Sequence, residues 1–257
     1  MPAAGLRTTN IYAVANQKGG VGKTTTAVNL SACLAEAGER VLLIDLDPQA
    51  NATSGLGMRA NGASTHDLLD GVPLTQLAKP STVENLDVVM AKSDLAAAAV
   101  ELSSRDGGER YLAESLAGDL GPYSFVFLDC PPSFGPLTVN ALAAANRALV
   151  PVQAEYYALE GLSQLLGTIN LVKARLNPDL AVAGIVLTMA DGRTRLAAEV
   201  ESELRKHFGG LVFTTTVPRS IRLAEAPSFG LPAIAYDRRS AGAQAYWKVA
   251  MELVERS

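Results

Sequence analysis

Short apolar runs of strand length alternate along this chain with longer segments in which apolar residues recur every three to four positions. The runs that we interpret as strands are residues 11–15, 41–44, 86–90, 125–128, 148–152 and 182–188. Most are continuously apolar, a pattern typical of strands buried on both faces of a parallel sheet. This alternation predicts a single-domain α/β fold in which a mostly parallel, twisted sheet is flanked by helices.

Two segments with helical spacing lie near the ends of the predicted fold. One begins at Thr24 and ends at Gly38, a residue suited to the left-handed conformation that closes many helices, so residues 11–45 form a predicted βαβ unit. The other, residues 243–255, could pack in the core or lie on a membrane surface. Its polar face has no excess of basic residues to attract anionic lipid, which favours packing in the core.

Length and cysteine usage narrow the class of protein. The 257 residues suit one large α/β domain, which we place at residues 11–257 after a short segment of residues 1–10. That segment has no apolar run of seven or more residues, so we expect neither a secretion signal nor a membrane anchor, and a cytoplasmic location. Cys33 and Cys130 have no CxxC spacing. We expect both to be small buried residues and not zinc ligands or disulfide partners.

Charge is unevenly distributed along the chain. A net charge of −4 argues against a protein that coats nucleic acid through its overall charge. Residues 193–239, however, contain eight basic residues against five acidic ones. The sequence therefore predicts a local basic face in the C-terminal part of the chain.

The clearest chemical signal is the glycine-rich sequence NQKGGVGKTT at residues 16–25, between the first predicted strand and helix. This is the context that a phosphate-binding loop requires, because glycines let the backbone N–H groups point inward at a helix N-terminus. Lys23 can reach the β and γ phosphates, and Thr24 offers a hydroxyl to Mg²⁺. The predicted phosphate contacts are Gly19, Gly20, Val21, Gly22, Lys23, Thr24 and Thr25. The alternative is a turn that merely joins a strand to a helix, which two lysines flanking three glycines disfavour.

Acidic residues follow two of the predicted strands. Asp45 and Asp47 stand at the end of the second strand, and their spacing places both on one side of an extended backbone. One would lie near a hydrated metal ion and the other near an attacking water; the alternative is a pair of turn-forming aspartates before Pro48. Asp129 ends an apolar run typical of a Walker B strand, whose acid binds Mg²⁺ through water. Prolines at 131–132 are expected to stiffen a switch that senses the γ phosphate.

Residues 18–25, KGGVGKTT, resemble the deviant Walker A motif of the ParA/MinD ATPases, and almost the whole chain resembles the chromosomal ParA (Soj) branch of that family. The resemblance implies a deviant P-loop NTPase fold with ATP and Mg²⁺ as cofactors. The chain has Gln17 where an ordinary P-loop has glycine, and it carries an extra lysine, Lys18. In the family, Lys18 would cross a homodimer interface to the partner's nucleotide and stabilise phosphate charge as an arginine finger does.

The resemblance also implies roles for residues whose local sequence is less specific. Asp47 would position the attacking water, which makes Lys18, Lys23 and Asp47 the predicted catalytic residues. Asp45 would lie closer to the Mg²⁺ shell, with Thr24 and Asp129. Residues 216–230 resemble the family segment that borders the adenine, so the Pro218 backbone and Met189 are predicted base contacts, although Met189 could simply belong to the core.

Arg193 and Arg222 match positions where chromosomal ParA proteins carry DNA-binding arginines. Contacts from arginines to phosphate oxygens would give salt-sensitive binding without sequence preference, and a dimer would double their number. The alternative is a solvated arginine face or intramolecular salt bridges. As partners, the resemblance implies non-specific DNA, a ParB-type centromere-binding protein that stimulates slow hydrolysis, and a nucleoid-associated location.

Two other functions use the same kind of loop. A membrane-positioning ATPase of the MinD kind needs a basic amphipathic tail, which residues 243–257 do not supply, so no stable membrane binding is expected. A metabolic enzyme such as dethiobiotin synthetase needs a substrate pocket, and it is disfavoured because the resemblance to ParA proteins extends through residues 180–230. An electron donor such as the nitrogenase iron protein needs cluster cysteines, and neither cysteine of this chain has the sequence context of that protein's motif. The leading hypothesis is therefore a DNA-partitioning ATPase.

Overall fold

The computed structural model describes residues 9–118, 120–155, 158–191 and 195–257. Within these ranges one seven-stranded sheet forms, in the order β3-β4-β2-β5-β1-β6-β7. The strands are β1 Asn10–Val14, β2 Val41–Asp45, β3 Lys79–Pro80, β4 Leu86–Val89, β5 Phe125–Asp129, β6 Arg147–Gln153 and β7 Ala181–Thr188. Every neighbouring pair is parallel except β3 and β4. The predicted α/β class and the six predicted strands are confirmed.

Helices cover both faces of this sheet. They are α1 Lys23–Glu36, α2 Asn51–Gly55, α3 Thr65–Leu69, α4 Leu74–Leu77, α5 Leu95–Ser104, α6 Tyr111–Leu116, α7 Pro136–Ala144, α8 Ala158–Arg175, α9 Arg195–Phe208, α10 Ile221–Glu225, α11 Ala233–Tyr236 and α12 Ala241–Glu255. One core joins α1, α2, α11 and α12 to the sheet, and a second core on the opposite face joins α3 to α9. Alternate residues of a strand enter different cores, as Leu42 and Leu43 do, which explains the continuously apolar strand sequences.

The edge strand β3 was not predicted. It has only two residues, one of them Pro80, and it pairs antiparallel with β4. A proline cannot donate to a strand ladder and is tolerated at a sheet edge, so a sequence of this kind carries no strand signal.

The last helix packs in the core, as its charge pattern predicted. On α12, Tyr246, Val249 and Leu253 are buried against the core that α1 shares, and the Tyr246 hydroxyl shares a 2.9 Å hydrogen bond with Thr26 Oγ1. Among the described residues, no helix combines the length and apolar character that a bilayer crossing requires.

Both cysteines are buried, as predicted, and both are free thiols in the structure. Burial raises the pKa of the Cys33 thiol to about 12 and that of Cys130 further still. Neither thiol is therefore ionised at neutral pH, which agrees with a packing role.

Candidate nucleotide site

The predicted loop and the predicted acids meet at one edge of the sheet. β1 leads into the glycine-rich loop, and β5 pairs with both β1 and β2, so that Asp129 lies beside Val14 on one side and Asp45 on the other. This edge is the carboxyl end of the parallel strands, where ligands bind in open α/β sheets. The strand order, and not closeness in sequence, brings the two carboxylates to the loop.

The loop is curled by two glycines and anchored by side chains from outside it. Gly20 and Gly22 have φ values of 76° and 88°, which a residue with a Cβ rarely adopts. Thr188 Oγ1 on β7 donates a 2.7 Å hydrogen bond to the Val21 carbonyl, and Asn16 Nδ2 donates one of 2.8 Å to the Pro151 carbonyl on β6. The loop is therefore held in shape by strands on one side of it.

Gly22 is the N-cap of α1, and its helix start has no side-chain cap. The first amide groups of a helix have no intrahelical acceptor and form a ready site for an anion. The predicted phosphate contacts from Gly19 to Thr25 are gathered at this helix start, as a phosphate cradle requires.

Lys23 lies inside the cradle. Its side chain is largely buried, and its Nζ donates a 3.0 Å hydrogen bond to the Lys18 carbonyl. Burial lowers its pKa, while the nearby Asp129, Cys130 and Asp47 oppose that change. The Lys23 ammonium therefore lies against the loop with a neutral carbonyl as its hydrogen-bond acceptor. A phosphate oxygen can take the place of this carbonyl as the acceptor.

The Lys18 ammonium has different surroundings. It is half exposed and forms an ion pair with Glu155, in the loop that follows β6. The Lys18 backbone amide donates a 3.0 Å hydrogen bond to Asn16 Oδ1. The sequence reasoning missed Glu155, because nothing in its local sequence indicates that it meets a residue 137 positions away.

Asp129 is the residue of the site whose hydrogen bonding is unsatisfied. Both carboxylate oxygens are buried and have no hydrogen-bond partner among the described residues. Burial raises its pKa well above the ordinary value, and Asp45 adds to this effect. The Thr24 hydroxyl is near enough to offset part of the rise, although it does not meet the geometry of a hydrogen bond. A buried carboxylate in these surroundings fits a cation or a water held by one.

Asp45 is, by contrast, fully engaged. Its Oδ2 accepts from the Thr53 amide at 2.8 Å and the Thr53 hydroxyl at 2.7 Å, and its Oδ1 accepts from the Asp47 amide at 3.1 Å. Its pKa is raised to about 6, mainly by burial, with the Thr53 hydrogen bonds acting in the opposite direction. Asp45 lies next to Asp129, which agrees with its predicted position near the Mg²⁺ shell. Both of its carboxylate oxygens, however, already accept hydrogen bonds from the protein.

Asp47 is buried, and its carboxylate is close enough to Lys23 to raise the pKa of the Lys23 ammonium. Its Oδ1 accepts a 3.0 Å hydrogen bond from the Gln49 amide, which is the turn interaction given as the alternative role. None of the described residues donates to Oδ2, which remains for a water. Both the catalytic role and the turn role are therefore compatible with its position.

A cavity of about 210 Å³ adjoins the cradle. Its lining includes Gly22, Thr25, Met189, Pro218, Leu223 and Tyr246. Met189 has a left-handed backbone with φ 52°, and the next residue pairs with Pro218 in a short parallel bridge. The two predicted base contacts thus face the same cavity beside the phosphate loop, and their contact with a base stays a prediction.

Of the two predicted DNA-binding arginines, Arg193 lies outside the described residues. Arg222 is half exposed on α10 and forms ion pairs with Glu225 at 2.8 Å and Asp237 at 3.4 Å. The intramolecular salt bridges that we gave as the alternative are therefore present for Arg222. Its binding to DNA stays a prediction.

Comparison with known proteins places this geometry in a family. Residues 9–182 match a family model described as an AAA domain. The chain is 55% identical over 244 residues to the chromosome-partitioning ATPase Soj of Thermus thermophilus, covering 95% of each chain. It is 51% identical over 246 residues to the sporulation initiation inhibitor protein Soj of Bacillus subtilis, covering 95% of this chain and 97% of the relative.

A solved structure shares the whole fold. Cobyrinic acid a,c-diamide synthase from Mycobacterium smegmatis, with bound ADP and magnesium, matches with a TM-score of 0.84 and 37% identity over 96% of this chain and 95% of that chain. The full-length matches agree with the glycine-rich loop, the acid that ends β5 and the mostly parallel sheet. The chain therefore belongs to the ParA/MinD family of P-loop ATPases, together with the Soj chromosome-partitioning proteins.

Proposed function

We propose that this protein is a DNA-partitioning ATPase that uses ATP and Mg²⁺ to switch between a free subunit and a DNA-binding homodimer. The observation that carries the magnesium-nucleotide site of this proposal is the buried Asp129 carboxylate beside the phosphate loop, which accepts no hydrogen bond from the described residues. The Soj relatives, one of them named a chromosome-partitioning ATPase, give the class of function. The related structure with ADP and magnesium supports the two cofactors.

The residues present fit a magnesium nucleotide. Thr24 and Asp129 would hold the ion, Asp129 through water, with Asp45 fixed beside them. Bound Mg²⁺ supplies positive charge that neutralises the phosphate oxygens. Lys23 exchanges the Lys18 carbonyl for a phosphate oxygen, and the free oxygen of Asp47 orients the attacking water. The charged side chains of this set are buried, so each charge acts in surroundings from which water is mostly excluded.

Lys18 is the reason to propose two subunits. Its ammonium is half exposed and paired with Glu155, whereas the Lys23 ammonium already occupies the cradle. A second charge for the phosphates can then come from the Lys18 of another copy, with two ATP molecules enclosed between the subunits. Closure of this dimer excludes water from the nucleotide and completes the catalytic set.

DNA would bind to the dimer through arginines such as Arg222 and Arg193, in a region of the chain with a local excess of basic residues. Contacts to phosphate oxygens give binding without sequence preference that weakens steeply with salt. Hydrolysis, slow in the isolated protein and stimulated by a ParB-type partner, separates the subunits and releases the DNA. The protein then acts at the nucleoid and in the cytoplasm.

Membrane positioning is less consistent with the structure. The apolar face of α12 is buried against the core that α1 shares, so this helix cannot offer that face to lipid while the domain is folded. An interfacial helix needs an available apolar face and a basic polar face. Stable membrane binding is therefore not part of the proposal.

DNA binding of the purified protein tests the proposal. Affinity is measured with ATP, with ADP and without nucleotide across a salt series, and Arg222→Ala and Arg193→Ala serve as variants of the DNA contact. We expect tight, salt-sensitive binding with ATP alone, and weaker binding by both variants. Equal affinity in all three nucleotide states would refute the switch.

A further inference from the structure

Thr53 occupies a position that none of the motifs identified. It lies in the short helix α2, eight residues after Asp45, and its side chain is buried. Its amide and its hydroxyl both donate to Asp45 Oδ2, at 2.8 and 2.7 Å. The hydroxyl also accepts a 3.0 Å hydrogen bond from the Ala91 amide, just beyond β4. Because the hydroxyl donates one hydrogen bond and accepts another, its orientation is fixed by the end of β2 on one side and the end of β4 on the other.

The two neighbouring carboxylates differ in this respect. Asp45 accepts three hydrogen bonds, two of them from Thr53, whereas Asp129 accepts none from the part of the chain that the structure describes. Hydrogen bonds from an amide and a hydroxyl to a carboxylate are short and strong, and they fix the direction in which its charge points. A cation held by Asp129 would therefore meet the Asp45 charge in one fixed place.

We propose that Thr53 is a positioning residue for the magnesium nucleotide, acting through Asp45. This inference rests on the proposed function and goes beyond it, since it names a group outside the loop and the acidic residues. The residue before helix α2, Ala50, has a left-handed backbone and provides no side-chain cap. The Thr53 hydrogen bonds therefore also hold α2 against β2, together with the connection that carries Asp47.

The test compares Thr53→Val, which removes the hydroxyl and keeps the shape, with Thr53→Ser, which keeps the hydroxyl. Binding of a fluorescent ADP analogue is measured with Mg²⁺ and with EDTA. Outer hydrogen-bond partners of metal sites typically contribute about 10–100-fold to affinity. We expect Thr53→Val to lose about this factor with Mg²⁺ and nothing with EDTA, and Thr53→Ser to behave as the wild type. Ser115→Ala removes a half-buried hydroxyl that donates to the Leu68 carbonyl and serves as the control.

The outcomes separate three explanations. If Thr53→Val loses the same factor of nucleotide affinity in Mg²⁺ and in EDTA, Thr53 has a merely structural role and the inference is overturned. The inference is also overturned if Mg²⁺ increases the nucleotide affinity of Thr53→Val as much as that of the wild type. If Thr53→Val does not fold, Thr53→Ala and Thr53→Ser are compared in the same way, and a serine variant without the magnesium effect would overturn it. A wild-type protein whose nucleotide binding ignores Mg²⁺ would instead refute the proposed function.

A second observation concerns the far end of α2. Gly57 and Gly230 both have left-handed backbones, with φ values of 69° and 67°, and they lie backbone to backbone. A Cβ on Gly230 would lie 2.6 Å from Gly57 Cα, and one on Gly57 would lie 3.3 Å from the Gly230 carbonyl oxygen. Gly230 closes the turn Ala226–Phe229, which directly follows α10 and its Arg222.

The geometry points to this glycine contact as the link between nucleotide state and the DNA-binding segment. On one side, α2 is bonded to Asp45 through Thr53, and on the other, residues 226–230 continue from α10. Contact between two backbones leaves no flexible side chain to absorb a displacement. A movement of α2 at the nucleotide site is therefore passed to α10. This inference also rests on the proposed function.

Gly230→Ala tests the link, since its Cβ must push the two turns apart. Gly71→Ala is the matched control, because Gly71 has a similar φ of 87° and its added Cβ would meet nothing within 4 Å. Gly230 does not line the cavity beside the phosphate loop, so we expect Gly230→Ala to bind ATP and to lose most of the ratio between DNA affinity with and without ATP, while Gly71→Ala keeps it. Gly57→Ala, with its milder contact, repeats the test if Gly230→Ala does not fold. If the folded variant has the same ratio of DNA affinity with and without ATP as the wild type, the link is overturned. If the wild-type protein binds DNA equally with and without ATP, the proposed function is refuted.

Discussion

Replacing Asp129 by asparagine should stabilise the nucleotide-free protein. The wild-type carboxylate is buried without a hydrogen-bond partner among the described residues and stands beside Asp45. A buried charge without a paired partner costs up to about 3–5 kcal/mol, which the nearby Lys23 ammonium reduces, and an unsatisfied neutral amide in its place costs about 1–3 kcal/mol. The difference predicts a gain of at most about 2 kcal/mol in the free energy of unfolding. For a domain of this length that is a rise of at most about 8 °C in Tm.

The gain should depend on pH in a definite direction. Burial holds the pKa of Asp129 above its ordinary value of 3.8. The folded state therefore keeps a proton that the unfolded state has released, and wild-type stability falls as pH rises through the folded pKa. Asp129→Asn removes this loss. Its advantage should be small near pH 4, where the wild-type group is protonated, and should grow toward neutral pH.

Thermal unfolding in EDTA, followed by calorimetry between pH 4 and 8, measures this gain. Asp45→Asn is the matched control, because Asp45 accepts three hydrogen bonds that one amide oxygen cannot replace, so this variant should lose stability. With ADP and Mg²⁺ the order should reverse: the wild type gains Tm and Asp129→Asn gains little. A less stable Asp129→Asn in EDTA, or an unchanged response to magnesium nucleotide, would refute the reasoning.

Three further changes test separate parts of the account. Asp47→Ala should keep ATP binding and lower turnover by about 100-fold or more, as steady-state phosphate release would show, if Asp47 orients the water; unchanged turnover would remove it from the mechanism. Tyr246→Phe should cost about 1 kcal/mol in urea unfolding, because Thr26 loses its hydroxyl partner, and no further loss should appear when Thr26→Val is added. Met189→Ala should weaken ATP more than inorganic triphosphate in competition binding if Met189 contacts the base; equal weakening would place it in the core alone.

Much of the fold could be predicted because its strands are continuously apolar and its first helix follows a glycine-rich loop. The unpredicted β3 has only two residues, one of them a proline, and these are too few to form a pattern. The position of β5 between β1 and β2 could not be predicted from their order in the chain. That position is what brings Asp129 beside Asp45.

The candidate site also has a part that could be predicted and a part that could not. The local sequence from Lys18 to Thr25 is typical of a phosphate-binding loop, and in the structure this loop lies at the start of α1. Thr53 and Glu155 could not be predicted, because each acts on a residue that is distant in the chain and has an ordinary local sequence. The Ser64 capping box of α3, in contrast, was a readable signal that the sequence reasoning did not use.

The central claim is that Lys18 makes this nucleotide site depend on a second subunit. Sedimentation velocity of the wild type and of Lys18→Ala, with a non-hydrolysed ATP analogue and Mg²⁺, with ADP, and without nucleotide, tests it most directly. We predict that the wild type forms a dimer with the ATP analogue alone, and that Lys18→Ala binds the analogue but stays a monomer. A Lys18→Ala dimer of normal stability, or a wild-type protein in the same state under all three conditions, would contradict the claim.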